Sequence, residues 1–120
     1  MLRPIPRRIL SDNMILKICI GKDRWQSYQY TDYSVRRVHL QPTNEVRKSE
    51  ENTEVVLRSI LFADKRYSCP NLDLDALQSQ SLKNGAPMRV ICRGQEYQVI
   101  TVDSVPDDQG RLHHWELGLV

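Results

Sequence analysis

A small, mostly β fold, either a barrel or a sandwich of about five to six antiparallel strands, with at most one short helix and a long polar loop, is the class this sequence predicts. Three observations carry that reading. Short runs rich in β-branched and aromatic residues recur along the chain, separated by clusters of Gly, Pro, Asn and Asp. Arg93-Gly94-Gln95 places a glycine between two such runs, where a tight hairpin needs positive φ. The chain then ends on a clean alternation, in which Trp115, Leu117 and Leu119 fall on one face and His114, Glu116 and Gly118 on the other. At 120 residues, with 40% hydrophobic and 27% charged residues, the chain is expected to form a single domain with one core.

The first eleven residues hold two prolines and three arginines and no acidic group, so residues 1–12 read as an extended arm and residues 13–120 as the body. Met14 to Ile20 is apolar around one lysine, and Gly21-Lys22-Asp23 ends it, which predicts a strand. Tyr28, Tyr30 and Tyr33 lead into Val35 to Leu40, a second strand stopped by Pro42. Strict alternation there puts Val38 and Leu40 on one face and Tyr33, Val35 and Arg37 on the other. Residues 42–54 contain one aliphatic side chain, Val46, and mixed charge, and are expected to form a long exposed loop or a mobile hairpin tip. Val55 to Ala63 reads as one strand closed by Asp64-Lys65-Arg66, with a short helix as the competing assignment. Leu72 to Leu77 has room for one or two helical turns before Asn84-Gly85-Ala86-Pro87 stops it. Met88 to Cys92 and Glu96 to Asp103 form the predicted hairpin, Pro106 to Gly110 is a turn, and Leu112 to Val120 is the last strand. Val99, Trp115, Leu117 and Leu119 are the core residues named from this pattern.

Charge is uneven. Residues 1–66 carry 13 basic and 8 acidic groups, and residues 67–120 carry 4 and 7. Such a division suits head-to-tail contacts between copies or a basic surface near nucleic acid, and scattered solvated charges explain it as well. Cys19, Cys69 and Cys92 are odd in number and widely spaced, so they read as free thiols rather than a disulfide framework.

A search for chemistry finds no nucleophile with a base, no glycine-rich phosphate loop and no ligand-spaced Cys or His set, so neither an enzyme nor a cofactor nor a metal is expected. His113 and His114 are adjacent, and in an alternating strand they would face opposite ways and could not enter one site. The pairs Asp73 with Asp75 and Asp107 with Asp108 lack a calcium loop around them and read as cap and turn carboxylates. Trp25, Tyr28, Tyr30 and Tyr33 beside Arg24, Arg36 and Arg37 could stack nucleobases, but core packing and cross-strand pairing are the favoured reading. No segment approaches the length of a membrane-spanning helix, and the first residues lack the apolar run of a secretory signal, so no membrane contact is expected.

Several short motifs in a fixed order resemble the minor capsid proteins of siphophages and prophages. They are Arg3-Pro4-Ile5-Pro6-Arg7-Arg8, Gly21-Lys22-Asp23-Arg24-Trp25, Tyr97-Gln98-Val99 after Gly94, and the ending His113 to Val120. That family in turn resembles head-completion proteins, also called head-closure or stopper proteins. The resemblance implies a ring of β-barrel subunits at the head-tail junction, which retains packaged double-stranded DNA and offers a docking surface to the tail. It also implies further copies of the chain, portal or adaptor proteins and tail-completion proteins as partners, and a place in the virion after assembly in the host cytoplasm. No catalytic residue is carried over. Arg3, Pro4, Ile5, Pro6, Arg7 and Arg8 are then expected to act as an assembly arm. Glu45, Arg47, Lys48, Glu50, Glu51 and Glu54 are expected to line the channel or a subunit contact, pairing with charges on a neighbour only after assembly. The alternative is a small barrel module that grips single-stranded nucleic acid through its tyrosine-rich segment.

Overall fold

The computed structural model describes residues 10–48, 52–65, 68–70 and 72–120. The elements are β1 (Asp12–Lys22), β2 (Tyr28–Pro42), β3 (Val46–Lys48), β4 (Glu54–Val56), β5 (Ser59–Asp64), α1 (Leu74–Lys83), β6 (Arg89–Cys92), β7 (Gln95–Pro106) and β8 (Leu112–Leu119). Six strands pair antiparallel in the order β1-β2-β5-β8-β7-β6, and β6 pairs back onto β1, so the hydrogen-bonded circuit closes as a barrel. The remaining two, β3 and β4, form a separate two-stranded hairpin.

Alternating inward positions fill the barrel. Met14, Leu16 and Ile18 come from β1, Val38 and Leu40 from β2, Leu61 and Ala63 from β5, Val90 and Cys92 from β6, Tyr97 and Val99 from β7, and Trp115, Leu117 and Leu119 from β8. Val99, Leu117 and Leu119 are fully buried and Trp115 nearly so. Removing this apolar area from water, at about 25 cal/mol per Å², is the main force holding the strands in register.

Two of the four register slips in the barrel place side chains where simple alternation would not. Arg37 takes φ 62°, and the register slips so that Asp12 opposes Val38 while Asn13 opposes Arg36. The extra residue restores Val35 to the inner face beside Val38, correcting its expected outward placement. Residues 68 and 69 stitch this bulge: Arg36 N–H donates to Cys69 O at 2.7 Å, Cys69 N–H donates to Arg36 O at 3.1 Å, and the Ser68 hydroxyl donates to Arg37 O at 2.6 Å. The second slip lies between Val105 and Pro106, which oppose His114 and Leu112, leaving His113 as the extra residue.

The run Val55 to Ala63 is two strands rather than one. Leu57 and Arg58 interrupt it, their N–H groups donating to Glu45 O at 2.8 Å and Leu119 O at 2.8 Å, which ends β4 and starts β5. The helix is longer than expected. Asp73 caps it by accepting from Ala76 N–H, and Asn84-Gly85 stops it, with Gly85 at φ 121°. Its buried side chains Leu74, Gln78 and Ser81 recur every three to four residues, the spacing of one helical face. That face packs against β1 and β7, the strands that flank the four-residue β6.

Candidate assembly surface

Beyond the barrel, β1 and β2 continue as a two-stranded ribbon. β6 covers β1 only from Met14 to Lys17, and β5 covers β2 only from Val38 to Pro42, whereas the β1 and β2 ladder runs on to Lys22 and Tyr28. Past Lys17 the outer side of β1 would be an open edge. Helix α1 closes it: Cys19 N–H donates to the Ser81 hydroxyl at 2.9 Å, and the Asn84 amide donates to Cys19 O at 2.9 Å. Ser81 in turn donates to Ala86 O at 2.6 Å. Gly85 is required here for space as well as conformation, since a Cβ would come within 2.9 Å of the Tyr28 ring. The helix and its C-terminal cap therefore brace the ribbon at Cys19.

The tip of the ribbon is locked by one carboxylate. Asp23 Oδ1 accepts from Trp25 N–H at 2.8 Å and Ser27 N–H at 3.0 Å, and Oδ2 accepts from the Gln29 amide at 3.1 Å. Gln26 adopts φ 65° to complete the turn. This turn holds Trp25 out, 74% exposed, with the Arg24 guanidinium 4.9 Å from its ring centre. Tyr28 and Tyr33 are exposed too, and Lys22 lies 5.0 Å from the Tyr28 ring centre. Tyr30 is half-buried, and burial pushes its hydroxyl pKa up. The expectation of core packing is corrected for Trp25 and Tyr28, which sit where the ribbon has left the barrel, while the expected cross-strand pairing holds, with Tyr28 opposite Lys22, Tyr30 opposite Cys19 and Tyr33 opposite Leu16.

The polar loop is organised around Arg47. Its guanidinium reaches Asp103 of β7 at 2.7 Å, Glu116 of β8 at 3.4 Å and Glu45 at 3.5 Å. These contacts pin the β3–β4 hairpin to the barrel wall within one subunit, which corrects the expectation that the loop's charges find partners only in a neighbour. Lys48 and Glu54 are exposed and oppose each other across the hairpin. Val46 and Val56, also opposed, present a small apolar outer face. Glu50 and Glu51 lie outside the described residues.

Glu116 continues the network inward. Its Oε2 lies 3.0 Å from His114 Nε2, and His114 Nδ1 lies 2.8 Å from His113 Nδ1. A carboxylate only accepts, so His114 is protonated at Nε2 and, when neutral, accepts from His113 through Nδ1. The bulge at His113 brings the two rings together, which corrects the reading that adjacent histidines must diverge.

The proposed arm residues Arg3, Pro4, Ile5, Pro6, Arg7 and Arg8 lie outside the described residues. The C-terminal end of that segment belongs to the body, contrary to the 1–12 boundary: Leu10 is buried, and Asp12 opens β1 with a two-point ion pair to Arg93. Asp107 accepts from Gln109 and Arg111 N–H groups at 2.8 and 3.0 Å and closes the β7–β8 turn. Cys19 and Cys92 are buried and Cys69 is exposed, all as thiols. Among the described residues, no group of three or more His, Cys, Asp or Glu side chains is placed to hold a metal, and no helix is long and apolar enough to cross a membrane.

The profile of the minor capsid protein family matches residues 6–119. No curated protein matches the chain. The match spans nearly the whole length, and the chain belongs to the phage minor capsid protein family.

Proposed function

We propose that this minor capsid protein is a ring subunit of the phage head-tail junction, acting as a head-completion or stopper-like protein that helps retain packaged DNA and presents a docking surface to the tail. The observation that carries the reading is the braced β1–β2 ribbon. Closing the barrel pairs most strand edges within the subunit, so a part that projects from it is a ready place for contact with neighbours. The ribbon projects a tryptophan, Trp25, that is 74% exposed. Copies of the chain beside it, portal or adaptor proteins on one side and tail-completion proteins on the other are the partners on this reading. Packaged double-stranded DNA would face the ring's channel.

A phage carrying a nonsense codon in this gene tests the proposal. Filled heads that lose their DNA and accumulate beside unattached tails are expected, with gold-labelled wild-type protein at the junction. Mutant heads that keep their DNA and accept tails at normal yield would reject it. A second reading has its own observation: Trp25, Tyr28 and Tyr33 are exposed beside Lys22 and Arg24, which is the make-up of a stacking platform for single-stranded nucleic acid. Tryptophan fluorescence titration with oligonucleotides at two salt concentrations separates the readings, because phosphate binding weakens steeply with salt. Negligible quenching at low salt removes the second.

A further inference from the structure

A cleft of about 300 Å³ opens on the side of the barrel away from β1, lined by Lys65, Leu72, Asp73, Leu112 and Trp115. Its volume is at the lower end of the roughly 300–1,000 Å³ typical of sites that take a drug-sized group. From these residues we infer that the cleft receives Trp25 from the ribbon tip of a second copy, forming the contact that repeats around the ring; this rests on the ring reading above.

Three features fit tip and cleft to each other. The floor is apolar, formed by Leu72, Leu112 and the small part of Trp115 that the core leaves exposed. The rim carries one charge of each sign. Arg24, next to Trp25 on the tip, would meet the Asp73 carboxylate, while the Lys65 ammonium would lie against the incoming ring. Their placement also suits propagation: in the circuit β1-β2-β5-β8-β7-β6, β8 stands three strands from β1 in either direction, so tip and cleft occupy opposite sides of the barrel. One copy can then give its tip to one neighbour and its cleft to the other. A head-to-tail contact of this kind closes into a ring when its rotation divides a full turn. The Asp23-locked turn removes much of the ordering cost of docking, since Trp25 is held in place before contact.

Photocrosslinking from position 25 in assembled particles tests the assignment. With Trp25 replaced by p-benzoylphenylalanine, which keeps a large aromatic group at the tip, irradiation should give a covalent dimer joined to Lys65, Leu72, Asp73 or the 111–115 segment of another copy. Asp73→Asn keeps the helix cap and removes the charge, and should lower dimer yield severalfold. Trp25→Ala, at an exposed site, should fold normally and weaken self-association by about thirtyfold or more, the loss that marks a hot-spot residue. Crosslinks to a different virion protein or to another segment overturn the inference, as does a Trp25→Ala chain that associates like the wild type. Gold labelling of the same particles reports separately on the junction. Protein found elsewhere in the virion with the dimer crosslink intact would reject the neck role and leave this contact standing.

Discussion

Asp12 holds the start of β1 through three hydrogen bonds: Arg93 Nε to Oδ1 at 2.9 Å, Arg93 Nη2 to Oδ2 at 2.7 Å and Leu40 N–H to Oδ2 at 3.0 Å. The bonds from Arg93, foremost, hold its carboxyl below the ordinary value of 3.8. A depressed carboxylate stabilises the fold fully above its unfolded-state pKa and loses that contribution as pH falls through the lower folded-state value. Asp12→Asn should therefore melt below the wild type at pH 7, with the gap narrowing from about pH 4 downward, as followed by circular dichroism across pH. Gly118 answers to space instead. An alanine Cβ there would sit 2.4 Å from Thr101 Oγ1 and 3.0 Å from a Leu57 methyl, both of which must move. Gly118→Ala should cost about 1–3 kcal/mol in urea denaturation, the range for overpacking. Trp115→Ala deletes a nearly buried indole from the barrel wall and should cost about 3–5 kcal/mol by the same measurement. A loss under about 1 kcal/mol would show that the site collapses around the missing ring.

Strand β8 is the element on which closure depends, because it pairs with β5 along one side and with β7 along the other. Truncation after Gly110 removes Trp115, Leu117 and Leu119 and leaves two open edges, so the product should be insoluble or lack a cooperative melt. A soluble fragment with a sharp transition would mean that β5 and β7 can pair directly. The β3–β4 hairpin stands at the other extreme, held to the barrel by Arg47 over partly exposed carboxylates. Exposed pairs of this kind contribute about 1 kcal/mol or less. Replacing residues 45–52 with Gly-Ser should accordingly preserve the fold with a loss near that size. If the hairpin faces the channel or a neighbour, heads built with the shortened chain should leak DNA or fail to join tails, which DNA retention and tail-joining assays would reveal. Normal heads would reduce the hairpin to a solvent-facing tip.

At the scale of the molecule, stability and assembly are carried by separate parts. The barrel supplies the buried apolar surface, while Trp25 at the ribbon tip stays 74% exposed. Deleting residues 1–8, a stretch with two prolines and three arginines, should leave the melting temperature nearly unchanged. The proposed arm role requires the same deletion to abolish incorporation into particles. Quantitative blotting of purified virions checks this, and wild-type levels of the truncated protein would reject the arm.

Period-two patterning was enough to read a mostly β chain, its C-terminal hairpin and the inward row of β8, because side chains on a pleated strand must alternate. Turn chemistry was legible for a similar reason: Asp23, Asp73 and Asp107 act on N–H groups two to four residues away. What the pattern could not show arises from partners distant in sequence. The bulge at Arg37 depends on Cys69 and Ser68, and it moves Val35 across the sheet. Arg47 looked free because Asp103 and Glu116 lie 56 and 69 residues away. Trp25 and Tyr28 looked like core because a sequence does not say where β6 stops covering β1. The sequence by itself determined the strand class, the local turns and the apolar faces, all set by forces acting within a few residues. Barrel closure, the extent of the ribbon and the exposure of Trp25 were decided only in the tertiary structure, because each follows from strands far apart in the chain competing for the same edges and the same core.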